Sequence, residues 1–80
     1  MNNEKKSWSE ELQQETREAI SEMRINPDGK LRFKSHGNGG AFITAHDLMH
    51  GKLSLTNTEG GQVVEFANID ELLAAGWAVD

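Results

Sequence analysis

The sequence predicts an α+β fold with an N-terminal helix, a four-stranded, mostly antiparallel sheet and a short C-terminal helix in a single small domain. Apolar residues recur at helical spacing up to residue 23, and from residue 30 they alternate with polar residues, as in half-buried strands. A capped helical pattern then closes the chain. Because 80 residues suffice for one hydrophobic core, we expect one domain at 9–80, preceded by a flexible segment at 1–8.

The first helix is expected at roughly residues 9–25. Ser9 directly precedes two glutamates, which suit the positive start of a helix, and Ser7 is a second candidate capping residue. Residues 26–29, Asn-Pro-Asp-Gly, should end the helix, because proline cannot continue it and Asp-Gly favours a tight turn. The apolar stripe of this helix, which should face the core, consists of Trp8, Leu12, Thr16, Ala19, Ile20 and Met23.

Period-two alternation predicts the strands, and glycine-rich turns at 37–40 and 57–61 separate them. One segment is ambiguous. Thr44 and Asp47 form a capping pattern and Gly51 is a helix stop, which together favour one helical turn, but strand alternation can also run through it. The expected strands are 30–34, 41–45, 52–56 and 62–67.

The C-terminal helix carries the clearest local signals. Asn68 is its cap, Glu71 follows three residues later, and Gly76 can end it in the left-handed conformation, with Trp77 folding back on Leu72 or Leu73. The expected core takes the inward positions of all elements. It comprises Leu12, Ile20, Met23, Leu31, Phe33, Phe42, Leu53, Leu55, Val64, Phe66, Leu72 and Trp77.

Charge is sorted along the chain. Residues 1–26 carry six Glu against four Lys or Arg, residues 27–56 carry four Lys or Arg against two Asp, and residues 57–80 carry five acids and no base, giving −2, +2 and −5. Surface fields of this kind govern which partners a protein attracts. The expected partner-binding residues are Glu11, Glu15, Glu18, Glu22, Glu65, Asp70 and Glu71.

Four of these glutamates form a continuous row on the first helix, because they follow one another at helical spacing from residue 11 to residue 22. No Lys or Arg lies three or four residues from them within the helix, and Arg17 and Arg24 are expected on the opposite flank, where they cannot neutralise the row. Each like-charge pair destabilises an isolated helix by roughly 0.2 to 0.5 kcal/mol. The row is therefore either a solvated face that favours solubility or a docking surface for a basic protein.

We accordingly expect a small, acidic, non-enzymatic binding protein of a regulatory or inhibitory accessory type, which engages a protein partner with a basic surface. A partner that itself binds nucleic acid fits this class, and so does a phage or plasmid origin. No catalytic residue is expected, because the chain lacks cysteine and none of its serines lies in a strand-to-helix elbow. The absence of an apolar leader or membrane-spanning run predicts a cytoplasmic protein, and open sheet edges would allow a homodimer.

Two alternatives remain open. Lys30, Arg32 and Lys34 share one face of a strand and could bind nucleic acid or another anion, although the chain is acidic, has no tyrosine and is expected to bury its phenylalanines. Lysines on a strand also serve to discourage aggregation. In a helix His46 and His50 would lie one turn apart and could share a metal, but structural zinc sites normally need four ligands, so we expect neither metal nor cofactor.

Overall fold

The first helix, α1, spans Glu10–Ser21 in the computed structural model, which describes residues 8–37 and 39–80. Its N-terminus forms as predicted, because the Ser9 side chain accepts a hydrogen bond from the Leu12 amide at 3.2 Å. The acidic residues of the first turn also suit the positive end of the helix dipole.

The end of α1 lies four residues before the predicted one. Met23 adopts a left-handed conformation with φ of 52°, and the Arg24 amide bonds back to the Ala19 carbonyl at 2.9 Å. This is the hydrogen-bond pattern that glycine usually makes at a helix end. The turn also directs Met23 outward, so its predicted core position is wrong, and it is 37% exposed.

Trp8 belongs to the folded domain, although the sequence places it in a flexible segment. Its indole N–H donates to the Gly76 carbonyl at 2.8 Å, and its ring stacks on His36 with centroids 3.8 Å apart. The rest of that segment, residues 1–7, lies outside the described residues.

Among the described residues the sheet has five strands rather than the predicted four, and every pairing between them is antiparallel. The additional strand, β5, follows the C-terminal helix and pairs with β1, where Phe33 lies opposite Val79. The strand order is β4-β3-β2-β1-β5. The strands are β1 Lys30–Lys34, β2 Gly40–Thr44, β3 Leu53–Asn57, β4 Val63–Phe66 and β5 Ala78–Val79.

Strand β2 presents the opposite face from the one predicted. Ala41 and Ile43 are buried, at 2% and 0% exposure, because they lie opposite the inward residues Phe33 and Leu31 of β1. Phe42 therefore points to the other face of the sheet, and its predicted core position is wrong.

Two short helices complete the fold. The ambiguous segment is helical, since α2 spans Ala45–Met49 and the Thr44 hydroxyl accepts from the Asp47 amide at 3.2 Å. Helix α3 spans Ile69–Ala74 and begins at its predicted cap, Asn68, whose side chain accepts from the Glu71 amide at 2.9 Å.

The C-terminus of α3 also forms as predicted. Gly76 has a φ of 97°, and the Trp77 amide bonds to the Leu72 carbonyl at 3.3 Å. None of the helices in the described residues is long and apolar enough to cross a membrane.

The core lies between the three helices and one face of the sheet, called here the inner face. Leu12 is only half-buried, and Val64, predicted as core, is 52% exposed because β4 lies at the edge of the sheet. The main core cluster contains Ala19, Ile20, Leu31, Phe33, Ala41, Ile43, Leu48, Leu53, Leu55, Leu72 and Trp77, with Phe66 packed against it.

Candidate functional site

The two edges of the sheet differ. At the β5 edge the main-chain amide of Val79 points away from β1 and donates to the Thr16 hydroxyl of α1 at 2.9 Å. That hydroxyl in turn donates to the Leu12 carbonyl at 2.7 Å, and Thr16 is fully buried. A side chain of α1 therefore occupies the hydrogen-bonding position that a further strand would need.

The β4 edge is open. The Asn57 amide donates to the Gln62 carbonyl at 2.8 Å, so the main-chain groups of Gln62 point toward β3. Because these groups alternate along an antiparallel strand, those of Val63 and Glu65 point away from β3. Within residues 8–37 and 39–80, no element pairs with this side of β4.

Apolar side chains accompany the free main-chain groups. Val63 is 61% exposed on the outer face of the sheet, and Val64 is 52% exposed on the inner face. Exposed valines on an unpaired strand favour association with another chain. We call Val63–Phe66 the β4 edge.

A groove runs beside the β4 edge on the inner face. Val64, Phe66, Ala75 and Trp77 form its apolar lining, Asn57, Glu59 and Gln62 add polar groups, and its volume is about 650 Å³. The groove is open to solvent and is bordered by the polar turn before β4. It can accept apolar side chains from a chain lying along β4.

The structure separates the predicted partner-binding carboxylates into groups. Asp70 forms an ion pair with Arg17 of α1. Glu22 and Glu18 lie 2.8 Å and 3.6 Å from the Arg24 guanidinium, so the prediction that Arg24 cannot neutralise the helix row is wrong. The cause is the early end of α1, since Arg24 follows a left-handed residue and does not continue the helix.

The remaining carboxylates differ in their surroundings. The Glu71 carboxylate accepts from the Ala67 amide at 3.1 Å, where it stabilises the start of α3. Glu11, Glu15 and Glu65 form no ion pair within the described part of the chain.

These carboxylates do not form one surface. Glu15 lies beside Val79, near the β5 edge, whereas Glu65 lies on β4 at the other end of the sheet. Four strand spacings separate the two edges, which corresponds to about 19 Å. A contact confined to the β4 edge would therefore reach Glu65 but not Glu15.

The basic row lies on the outer face of β1, as its spacing predicts, but its members contact neighbouring groups. Arg32 forms an ion pair with Asp28, and the Lys30 ammonium lies 4.4 Å from the centre of the Phe42 ring. The Lys34 ammonium lies 5.3 Å from the centre of the Trp8 ring. The outer face thus combines the basic row with a half-buried aromatic ring, which sequence reasoning assigned to the core.

The histidines of α2 lie together, with ring centroids 4.4 Å apart. The His50 Nδ1 lies within hydrogen-bond distance, 2.8 Å, of the His46 carbonyl oxygen, so this ring nitrogen already has a partner. His36 lies elsewhere, stacked on Trp8. Among the residues that the structure describes, no group of three or more His, Cys, Asp or Glu side chains could hold a metal ion.

Comparison of the chain with models of protein families, with curated proteins and with solved structures gave no match. The function is therefore inferred from the geometry of this chain. Sequence reasoning included Glu65 but missed Val63 and assigned Val64 to the core. The signal that could have found the β4 edge was the adjacent pair of valines beside Glu65, in a strand with no predicted neighbour on one side.

Proposed function

We propose that this chain is a non-enzymatic binding protein that engages a protein partner with a basic surface. The observation that carries the proposal is the environment of Glu65. This glutamate lies in the middle of the open β4 edge, with Val63 and Val64 exposed beside it and no cation paired with it among the described residues.

Three properties of the β4 edge support a protein partner. Its unpaired main-chain groups can form sheet hydrogen bonds, its valines can bury apolar area, and its carboxylate can attract a positive group. No Lys or Arg follows Lys52 in the chain, and among the described residues no cation lies within ion-pair distance of the Glu65 carboxylate. A partner can provide one.

The proposed role is that of an accessory regulator or inhibitor, which acts by covering a basic surface of its partner. A partner that uses this basic surface to bind nucleic acid would lose access to it. Glu11 and Glu15, which form no ion pair with another described residue, remain a second predicted contact surface on α1.

Capture experiments with matched charge reversals test the proposal. Glu65→Lys and Asp80→Lys change the net charge equally, but Asp80 is exposed after β5, at the other end of the sheet, and has no proposed role in binding. The immobilised wild type and both variants are incubated with lysate of the source organism, and the retained proteins are quantified by mass spectrometry. We expect Glu65→Lys to lower retention of the partner by about tenfold or more, as for a central interface residue, and Asp80→Lys to leave it nearly unchanged.

The purified partner then provides the decisive measurements. Its Kd for the wild type should rise with salt, because opposite charges meet across the interface. Adding the wild type should release nucleic acid from a partner that binds it. Equal retention by both variants and the wild type, or an affinity that does not depend on salt, would contradict the proposal.

A second candidate function is binding of single-stranded nucleic acid on the outer face of the sheet. The observation that favours it is the position of Phe42, which lies directly opposite Arg32 in the register and beside Lys30. Base stacking on an aromatic side chain contributes about 1 to 3 kcal/mol. Phe42→Ala should therefore weaken binding of mixed DNA and RNA oligonucleotides at low salt, with Val63→Ala as the control. If the wild type binds neither, this function is excluded.

A further inference from the structure

We infer that the partner contributes an extended segment that adds to β4 as a sixth strand, with a Lys or Arg side chain beside Glu65. The inference rests on the proposed function, because it names the kind of partner and the mode of contact at the same edge. It begins from the directions of the main-chain groups on β4.

The β4 edge offers a defined hydrogen-bonding pattern. Val63 and Glu65 each direct one N–H and one C=O away from β3, since the main-chain groups of Gln62 point toward it. An extended chain can pair with these groups without moving β4. Recognition by strand addition uses such main-chain bonds for affinity and alternate side chains for specificity.

The two faces of β4 specify the side chains of the added strand. On the outer face Val63 and Glu65 are both exposed, so a basic side chain there can lie beside the carboxylate. On the inner face Val64 borders the groove that also contains Phe66 and Trp77, so apolar side chains fit there. The predicted segment therefore alternates Lys or Arg with apolar residues.

A second copy of this chain fits the edge poorly. Two β4 strands can pair antiparallel around Val63, Val64 or Glu65 through their outward main-chain groups. The Val63 register sets Glu65 opposite Gly61, which has a φ of 72° and lies outside the strand, so only a short stretch would pair. The Val64 register places the two Glu65 residues on a diagonal about 7 to 8 Å apart, and the Glu65 register places them directly opposite at about 5 Å. Each copy also carries a net charge of −5, so the pairing would join two acidic edges. The charge of the edge instead favours a basic segment.

The opposite edge cannot accept the segment in the same way. There the outward amide of Val79 is already bonded to Thr16, and α1 packs along the strand. Strand addition is thus expected only at the β4 edge. Measurements on individual residues can therefore show where the segment binds.

Synthetic peptides provide a direct test with the full chain. The probe is a blocked seven-residue peptide that alternates lysine and valine, and its control replaces every lysine with glutamate. Binding is followed by two-dimensional NMR of the ¹⁵N-labelled protein and by amide hydrogen exchange. We expect the basic peptide alone to bind, to shift the resonances of β4, and to slow exchange of the Val63 and Glu65 amides by about tenfold or more.

Two variants separate the main-chain contribution from the charge. Val63→Pro removes an outward N–H but no bond to β3, a position where an edge strand accepts proline. Glu65→Lys reverses the charge and keeps every main-chain group. Each should raise the Kd of the basic peptide at least tenfold, whereas Asp80→Lys, at the other end of the sheet, should change it less than twofold. If the proline variant fails to fold, the Kd measured for Glu65→Lys provides the test.

The outcomes distinguish this inference from the proposed function. Equal binding of both peptides, shifts confined to α1 or β1, or a wild-type affinity retained in Val63→Pro and Glu65→Lys would each overturn strand addition. A concentration-dependent dimer that protects β4 without peptide would overturn it in favour of a second copy. If Glu65→Lys abolishes capture of the natural partner but folded Val63→Pro does not, the binding function stands and strand addition is wrong.

Discussion

Replacing Thr16 with valine removes the hydroxyl that closes the β5 edge and leaves the side-chain shape almost unchanged. In the wild type this hydroxyl accepts from the Val79 amide at 2.9 Å and donates to the Leu12 carbonyl at 2.7 Å. The Leu12 carbonyl loses little, because it remains within the hydrogen-bonded helix. The Val79 amide loses its only described acceptor.

The expected loss of free energy of unfolding comes from the Val79 amide, which the substitution leaves without its acceptor. An orphaned buried donor costs about 1 to 3 kcal/mol, and because the Val79 site is part-buried we expect about 1 to 2 kcal/mol. A domain of this size has a free energy of unfolding of about 4 to 12 kcal/mol. With about 4 to 8 °C per kcal/mol, Tm should fall by about 4 to 16 °C.

Urea unfolding and hydrogen exchange together test this reasoning. The valine variant should have a lower midpoint with an unchanged m-value, and its Val79 amide should exchange faster relative to the amides of β2. Thr16→Ser is the matched control, because it keeps the hydroxyl and should preserve protection of Val79 even though losing a methyl group costs about 1 kcal/mol. Equal protection of Val79 in the two variants, or a valine variant as stable as the wild type, would refute the role assigned to Thr16.

Three further predictions concern the helices. Leu72→Ala should lower the free energy of unfolding by about 2 to 5 kcal/mol in urea titrations, because Leu72 is 0% exposed within the core. A loss of stability no larger than that of a substitution at an exposed position would contradict this. Asn68→Ala should cost about 0.5 to 2 kcal/mol, while Asn68→Asp, which keeps an acceptor for the α3 cap, should recover most of the lost Tm. Arg24→Ala should cost less than about 1 kcal/mol, since its ion pair with Glu22 is roughly half exposed on both sides; a larger loss in a double-mutant cycle would refute that estimate.

Local signals in the sequence predicted most of the elements. The caps Ser9 and Asn68 each accept a main-chain amide as expected, Thr44 does so in the helical one of the two alternatives left open for its segment, and Gly76 takes the left-handed conformation that ends α3. Such features depend on residues within one turn of the chain, so a short stretch of sequence contains them. The predicted α+β class and the antiparallel sheet follow from these elements.

Positions that depend on distant residues were predicted less well. The segment that forms β2 holds apolar residues on both faces, and only its register with β1 decides that Ile43 points inward and Phe42 outward. Strand β5 is two residues long and exists because Val79 pairs with Phe33. No period can be read from so short a strand.

The candidate site shows the same division. The sequence by itself determined that the chain is acidic, that no basic residue follows Lys52, and that Glu65 lies in a strand. Only the tertiary structure decided that α1 closes one end of the sheet through Thr16 and that β4, at the other end, has no further neighbour in the part of the chain that the structure describes. The physical reason is that an edge is defined by the absence of a neighbouring strand, and strand neighbours are chosen by contacts between residues far apart in the chain.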